Sequence, residues 1–393
     1  MDFRLTEEQE MLRKQVRDFA LREIYPHRAQ LRKKEFPWDI HRKMSEMGLA
    51  GSQIPEEYGG MGLSNLDNAL ITIELSMADA GVGLGIGASQ SLAGKPLMLF
   101  GNDEQKRAWL PQLASGEALG AYGQTESGAG SDISAIKTRG VVTGDEIVIT
   151  GEKQFITNGS IAKLILVLVR TDDFHPRRGL TFVLVDAEKA KREGTLTASD
   201  LDKKGLHCSL TSTLFFDGCR VPVTNVLGGF EMGFMIAMTT LTASRPMIAA
   251  QSVGVAKAAF EETLKYTTSD RKIFGQRIAD FQVTQSKLAR MSLKIEAAEL
   301  LTYQAAWVID NASDFTPETV MAKASKAKLF ASEAAEEIAA VAAKLHGAMG
   351  FMAEPDISGI LEDSRVLTTY EGTSDIQELI IAREFLRPHG VRI

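Results

Sequence analysis

Glu371 lies in "LTTYEGTSDIQ", Leu367 to Gln377, between a tyrosine and a glycine. A carboxylate there fits three roles. It can cap a helix, pair with a nearby arginine such as Arg365, or take a proton from a substrate. Other stretches also carry residue types suited to ligand chemistry. "AYGQTESGAGSD", Ala121 to Asp132, sets Thr125, Ser127 and Ser131 among three glycines. Glycines let backbone N–H groups approach a ligand and hydroxyls donate to phosphate or ring carbonyls, although a polar linker has the same composition. "QFITNG", Gln154 to Gly159, puts Phe155 near Thr157. An aromatic there can cover a planar ring beside a hydroxyl donor, yet both types are common at strand ends.

"RKIFGQRIADFQ", Arg271 to Gln282, carries two arginines and two phenylalanines between long helical stretches. Arginine suits pyrophosphate through its forked geometry; a solvated helical hairpin turn is the plainer alternative. "KLHGAMG", Lys344 to Gly350, reads as a helix C-cap or as backbone approaching a ligand. "GVGLGIGA", Gly81 to Ala88, contains a dinucleotide-like glycine pattern, but helical "ITIELSMADA" precedes it where a strand is required. A glycine-rich helix or loop is expected instead. His207, beside Cys208, and His346 lack metal-ligand spacing and read as structural.

The elements that must position these residues follow a helix, strand, helix order. Residues 1–120 read as helical: Leu12, Val16, Phe19 and Ala20 recur at helical spacing, and Thr6 with Gln9 has capping-box spacing. Residues 121–230 hold short β-branched runs, "DEIVITGEKQFITNG", "AKLILVLVRTDD", "RGLTFVLVDAE" and "TSTLFFDGCRVPVTNVLG", which predict antiparallel strands in a small barrel or sandwich. Residues 231–393 return to long alanine-rich helices expected to pack as a bundle. The 393 residues allow two or three domains, and a net charge of −7 argues against nucleic acid as the main partner. Two cysteines, an acid-bearing start and no long uncharged apolar run predict a reduced, cytoplasmic protein without a membrane span.

Together "YGQTESGAGSD", "FITNG", "RKIFGQRIADFQ", "LHGAMGF" and "TYEGTSDIQ" resemble, in order and spacing over essentially the whole chain, the acyl-CoA dehydrogenases. The resemblance implies an α+β, three-domain fold: N-terminal α, middle β-barrel-like, and C-terminal four-helix bundle. It implies FAD, an acyl-CoA substrate in fatty or carboxylic acid degradation, an electron-transferring flavoprotein as acceptor, and a homotetramer. Carried over, Tyr122, Thr125, Gly130 and Ser131 would line FAD, Ser131 also nearing the CoA chain. Phe155 and Thr157 would flank the isoalloxazine, Thr157 close to N5. Arg271, Phe274, Gln282, Lys344, Gly347 and Ala348 would reach FAD across a dimer interface. Thr373 and Asp375 would touch it from the segment holding Glu371, and Arg245, Tyr370 and Gly372 would face substrate. Glu371 would remove the α-proton while flavin N5 takes the β-hydrogen as hydride. Some relatives carry the base just before the "TASRP" arginine; Ser244 stands there and cannot serve as that base.

Several positions depart from the family pattern. Ser127 replaces a proline, Phe155 a tryptophan, Lys344 a glutamine, Glu362 an arginine, and Asp375 a glutamine or glutamate, while Thr242 replaces an aspartate of straight-chain enzymes. These point to a less common substrate. Residues 81–95 lack the arginine that holds a distal carboxylate in glutaryl-type relatives, with Lys95 the sole cation. Gly81, Gly83, Gly85 and Gly87 are expected to make room for a bulky or cyclic acyl group. A non-catalytic binding protein and an oxygen-using oxidase are the competing classes; retention of Glu371 and the chain length speak against them.

Overall fold

A computed structural model describes residues 4–172, 175–269, 271–353 and 356–391. The first helix, Glu7–Phe19, starts at the expected capping box: Thr6 Oγ1 accepts from Gln9 N–H, and the Gln9 side chain accepts from Thr6 N–H. Asn65–Ala78 is buried on nearly every face, consistent with its apolar composition. The glycine-rich stretch forms the helix Ala80–Ala88, whose N-terminus Asp79 caps by accepting from Gly81 and Val82 N–H. A π-type turn, Ser89–Gly94, follows it directly.

The middle of the chain makes one seven-stranded sheet: β1 (Gly120–Gly123), β2 (Arg139–Thr143), β3 (Glu146–Thr157), β4 (Leu164–Arg170), β5 (Leu180–Asp186), β6 (Leu196–Asp200) and β7 (Thr211–Pro222). The apolar runs correspond to β3, β4, β5 and β7. The expectation of purely antiparallel pairing needs correction. β1 runs parallel to β4 in register Gly120↔Leu164 to Gly123↔Val167, and β2 meets β4 in parallel at Arg139↔Arg170. The central β4 is buried along Leu164–Val169, as a strand covered on both faces must be. One face packs on Leu97, Leu110, Leu113 and Ile236 from the helices, and the other on Ile147, Val185, Phe216 and Val221.

The long helices are Gly233–Thr268, Gln282–Asp310 and Pro317–Leu345, with the shorter Ser374–Leu386 beside the third. Small residues let them approach closely: Ala249, Ala250, Ala298, Ala305, Ala327 and Ala331 form one shared core. Between the first two, residues 271–282 fold as a two-stranded hairpin, Lys272–Ile273 with Gln276–Arg277, rather than as a bare helical turn. Among the described residues no helix is long and apolar enough to cross a membrane.

Candidate active site

Glu371 sits in a corner between the helices Ile357–Ser364 and Ser374–Leu386. Its backbone is left-handed, φ +53°, and Gly372 follows at φ +102°. A non-glycine residue holds such a conformation only where its surroundings enforce it. The two plainer roles for its carboxylate are both filled by other residues. Thr373 caps the next helix, its Oγ1 accepting from Ile376 N–H at 3.4 Å. Arg365 pairs with Glu336 at 3.0 Å. The Glu371 carboxylate instead accepts a hydrogen bond from Ser244 Oγ.

Two buried cations flank it. Arg245 is 3% exposed, and among the described residues its only hydrogen bond to another side chain is a 3.4 Å contact from Nη1 to Ser325 Oγ. Lys328 is fully buried and donates to the Gly372 carbonyl at 2.8 Å. Burial pushes Arg245 down to about 10 and Lys328 down to about 8, with the Glu371 charge acting against both shifts. Burial also raises Glu371 above the usual carboxylate range, opposed by the Ser244 hydrogen bond and by Arg245 and Lys328. Tyr370, which donates to Gln251 Oε1, and Tyr122, which donates to Gln124 Oε1 at 2.8 Å, complete the surroundings. Burial, then the Glu371 charge, holds both phenols well above their usual range.

The loop after β1 is tied to β3 at several points. Gln154 N–H donates to Thr125 O at 2.8 Å, and Ser127 Oγ donates to Glu152 at 2.7 Å. Lys153, fully buried, donates to Glu126 at 2.7 Å and to Gln124 O at 3.1 Å. Glu126 also accepts from Lys137 and Thr138 N–H. Gly130 and Ser131 are exposed, and a side chain built on Gly128 or Gly130 would meet nothing. A bulge in β3 sets Phe155 at φ +61° with 62% of its surface exposed, while Thr157 is half-buried at the strand end.

The remaining candidates gather elsewhere. Arg271 lies over the Tyr266 ring at 5.3 Å, and Tyr266 stacks on His346 at 4.2 Å, so the 271–282 hairpin and the Lys344–Gly350 turn are neighbours. Tyr266 is 21 residues beyond Arg245 on one helix, a rise of about 30 Å. Arg271, Phe274, Gln282, Lys344, Gly347 and Ala348, all exposed, therefore do not join Glu371 within one chain. Phe274 is 93% exposed at φ +51°. Asp375 is exposed in the first turn after Thr373.

The glycine expectation is corrected for three of four positions. A side chain on Gly81, Gly83 or Gly85 would strike Cys208, Ser76 or Phe36 respectively, so these glycines serve close packing. Only Gly87 faces open space. Lys95 turns to Asn65 Oδ1 at 3.4 Å, with Asp310 as its compensating charge.

Sequence reasoning did not find Lys328, Lys153 with Glu126, or the Ser244 contact. Lys328 had a signal. It shares the periodic buried face of Ala324, Ser325, Ala331 and Ser332, where a lysine is out of place.

Comparison with known proteins agrees along the chain. Residues 6–117, 121–219 and 231–386 match the N-terminal, middle and C-terminal domains of acyl-CoA dehydrogenase. A protein named probable acyl-CoA dehydrogenase in Bacillus subtilis is 41% identical, over 98% of this chain and 100% of its own. A 3-(aryl)acrylate reductase of Clostridium sporogenes is 39% identical, over 97% of this chain and 99% of its own. The structure of an acyl-CoA dehydrogenase complexed with FAD from Bacillus anthracis superposes with a TM-score of 0.90 at 34% identity, covering 98% of this chain and 68% of that one. From these matches, the chain belongs to the acyl-CoA dehydrogenase family of FAD-dependent oxidoreductases.

Proposed function

We propose that this protein catalyses α,β-dehydrogenation of an acyl-CoA thioester to the 2-enoyl-CoA, with Glu371 as the base. One observation carries this reading: the Glu371 carboxylate, aimed from a left-handed corner, neither caps a helix nor pairs with Arg365, and burial makes it a stronger base than an ordinary glutamate. The proton it takes is the thioester α-proton. Charge then develops on the thioester oxygen. The Glu371 N–H, which has no acceptor among the described residues, is available to stabilise it.

The residues fit FAD. Phe155 offers an exposed aromatic face, Gly128 and Gly130 leave open space beside their backbone, and Thr125, Ser131 and Thr157 supply hydroxyls around it. Tyr122 would hold the adjoining wall, and Thr373 and Asp375 would contribute from the base's own segment. When bound, FAD supplies the acceptor for the substrate's β-hydride. Arg271, Phe274, Gln282, Lys344, Gly347 and Ala348 would contact a flavin held by a second copy. Their distance from Glu371 along the helix and the nearly bare Phe274 ring support a homotetramer built from such pairs. Ser131, Arg245, Tyr370 and Gly372 would border the substrate. Two buried free thiols, Cys208 and Cys219, fit a reducing compartment such as the cytoplasm. Electrons would pass to an electron-transferring flavoprotein.

For the acyl group, a bulky side chain is favoured. Open space at Gly87 supports it, and Lys95, engaged by Asn65 and Asp310, is a poor receptor for a second carboxylate. The 39% identical 3-(aryl)acrylate reductase supports a second reading, in which the same site reduces an aryl-bearing 2-enoyl thioester.

The test is anaerobic titration of the flavin band with butyryl-, cyclohexanecarbonyl-, 3-phenylpropionyl- and glutaryl-CoA, beside Glu371→Gln. One ester is expected to bleach the wild type, with the rate at least about 10³-fold lower in the variant. Equal bleaching in Glu371→Gln removes the base assignment. A butyryl-CoA optimum removes the bulky acyl group. Oxidation of reduced flavin by cinnamoyl-CoA faster than the forward reaction favours the reductive direction.

A further inference from the structure

We propose that Lys328 is a positioning residue for Glu371, its buried ammonium gripping the Gly372 carbonyl so that the left-handed corner aims the carboxylate. The proposal rests on the assignment of Glu371 as base.

The Gly372 carbonyl receives two donors from different helices: Lys328 Nζ at 2.8 Å and Gln377 Nε2 at 3.0 Å. Gln377 Nε2 also reaches the Glu371 carbonyl at 3.4 Å. Both side chains are fully buried, so neither can swing to solvent. A side chain on Gly372 would collide with the Gln377 amide, which keeps this position a glycine. With the Glu371 and Gly372 carbonyls both held by donors, the left-handed corner is fixed with the Glu371 carboxylate on the Ser244 hydroxyl. Residues with strained backbone persist only when neighbours over-determine them, and Lys328 and Gln377 are those neighbours.

A structural role alone explains Lys328 poorly. Taking an ammonium out of water is costly, and burial accordingly pushes Lys328 down. A neutral donor such as glutamine would satisfy one carbonyl without that cost. Among the described residues no carboxylate forms an ion pair with Lys328, and the first charge acting on it is that of Glu371. The groups facing Glu371 are Ser244 and Arg245 on one helix, Lys328 on another, and the neutral phenols of Tyr122 and Tyr370. Glu333 adds a weaker negative charge near Lys328. Arg245 and Lys328 thus supply the positive charge that offsets the burial of Glu371. Both cations favour the ionised form, the one that can act as a base, against the burial that disfavours it.

The experiment compares wild type, Lys328→Met, Lys328→Arg and Glu371→Gln as FAD-loaded proteins. Flavin reduction by the ester that bleaches the wild type is expressed per bound FAD across pH 5.5–9. Lys328→Met is expected to lower the rate about 10- to 100-fold at pH 7, with KM within about threefold, and to move the acid limb up by about one pH unit. Lys328→Arg keeps the charge and is expected to restore the limb but not the full rate. Unchanged rate and limb in Lys328→Met, with Glu371→Gln inactive, overturns the proposal and leaves the base intact. Full activity in Glu371→Gln overturns the base assignment itself. Failure of both lysine variants to load FAD assigns Lys328 to folding and also overturns the proposal.

Discussion

The Ser244 hydroxyl donates to the carboxylate of Glu371 across 127 positions of sequence. Ser244 occupies the second turn beyond a run of exposed and half-buried methionines on the 36-residue helix Gly233–Thr268, immediately before Arg245. One helix therefore brings both a neutral donor and a cation to the same acid. The two differ in consequence. The serine acts through one directed contact, while the arginine acts through its field.

Removal of that hydroxyl changes the pH dependence of the reaction in a definite direction. The Ser244 hydrogen bond favours ionised Glu371, acting against burial. In Ser244→Ala the carboxyl becomes harder to ionise and holds its proton to higher pH. A base must be deprotonated to work, so the acid limb of the rate profile is expected to move up by about one pH unit, as befits one hydrogen bond to a charged group. The rate at pH 6 falls several-fold, whereas the rate above the limb stays near wild type. A limb that stays in place shows that the serine does not reach the carboxylate when substrate is bound.

Lys153 and Glu126 set up a stability prediction independent of the reaction. Their 2.7 Å pair is buried on both sides, and burial pushes the lysine down to about 8 against the pull of Glu126. Lys153→Met leaves Glu126 buried with its two backbone donors but no cation. The expected loss is about 3–5 kcal/mol in urea unfolding, with reduced FAD content because the Thr125–Ser131 loop loses its tie to β3. Adding Glu126→Gln to Lys153→Met is expected to recover most of the loss. A single variant as stable as wild type shows that the loop is held by its backbone contacts alone.

How far these features could be read from sequence depends on whether the signal is local. The capping box at Thr6 and Gln9, the reading of Gly81–Ala88 as a helix or loop rather than a dinucleotide turn, and the runs that became β3, β4, β5 and β7 rest on neighbours within a few residues. β1, β2 and β6 are short or exposed and carry little alternation of their own, and the parallel pairing of β1 with β4 is long-range. At the site, Glu371 and Phe155 were visible as residue types. Their positive φ angles were not, because no glycine marks them and tertiary contacts enforce them. Lys328 was hidden among other lysines of an alanine-rich helix. Only its place on the buried face separates it from exposed Lys344.

The junction of the three parts of the chain holds a second group of acids, half-buried, and it yields a prediction about stability and pH. Asp363, at the end of the helix Ile357–Ser364, accepts from Leu206 N–H at 2.6 Å. Asp79, the cap of Ala80–Ala88, also accepts from the Cys208 thiol at 3.4 Å. Burial first, then the Asp79 charge, raises Asp363 to about 7. An aspartate in the unfolded chain titrates near 3.9. A group raised on folding contributes stability that is complete below its unfolded value and is lost as pH climbs through its folded value. Wild type is therefore expected to lose stability between about pH 4 and pH 7 from this residue. Asp363→Asn keeps an acceptor for Leu206 and removes the titration. Its Tm is expected to match wild type near pH 4 and to exceed it by about 2–4 °C at pH 8. A gain that is equal at both pH values points to packing rather than to the charge, and a loss at pH 8 shows that the charge of Arg32, which favours ionised Asp363, outweighs its burial.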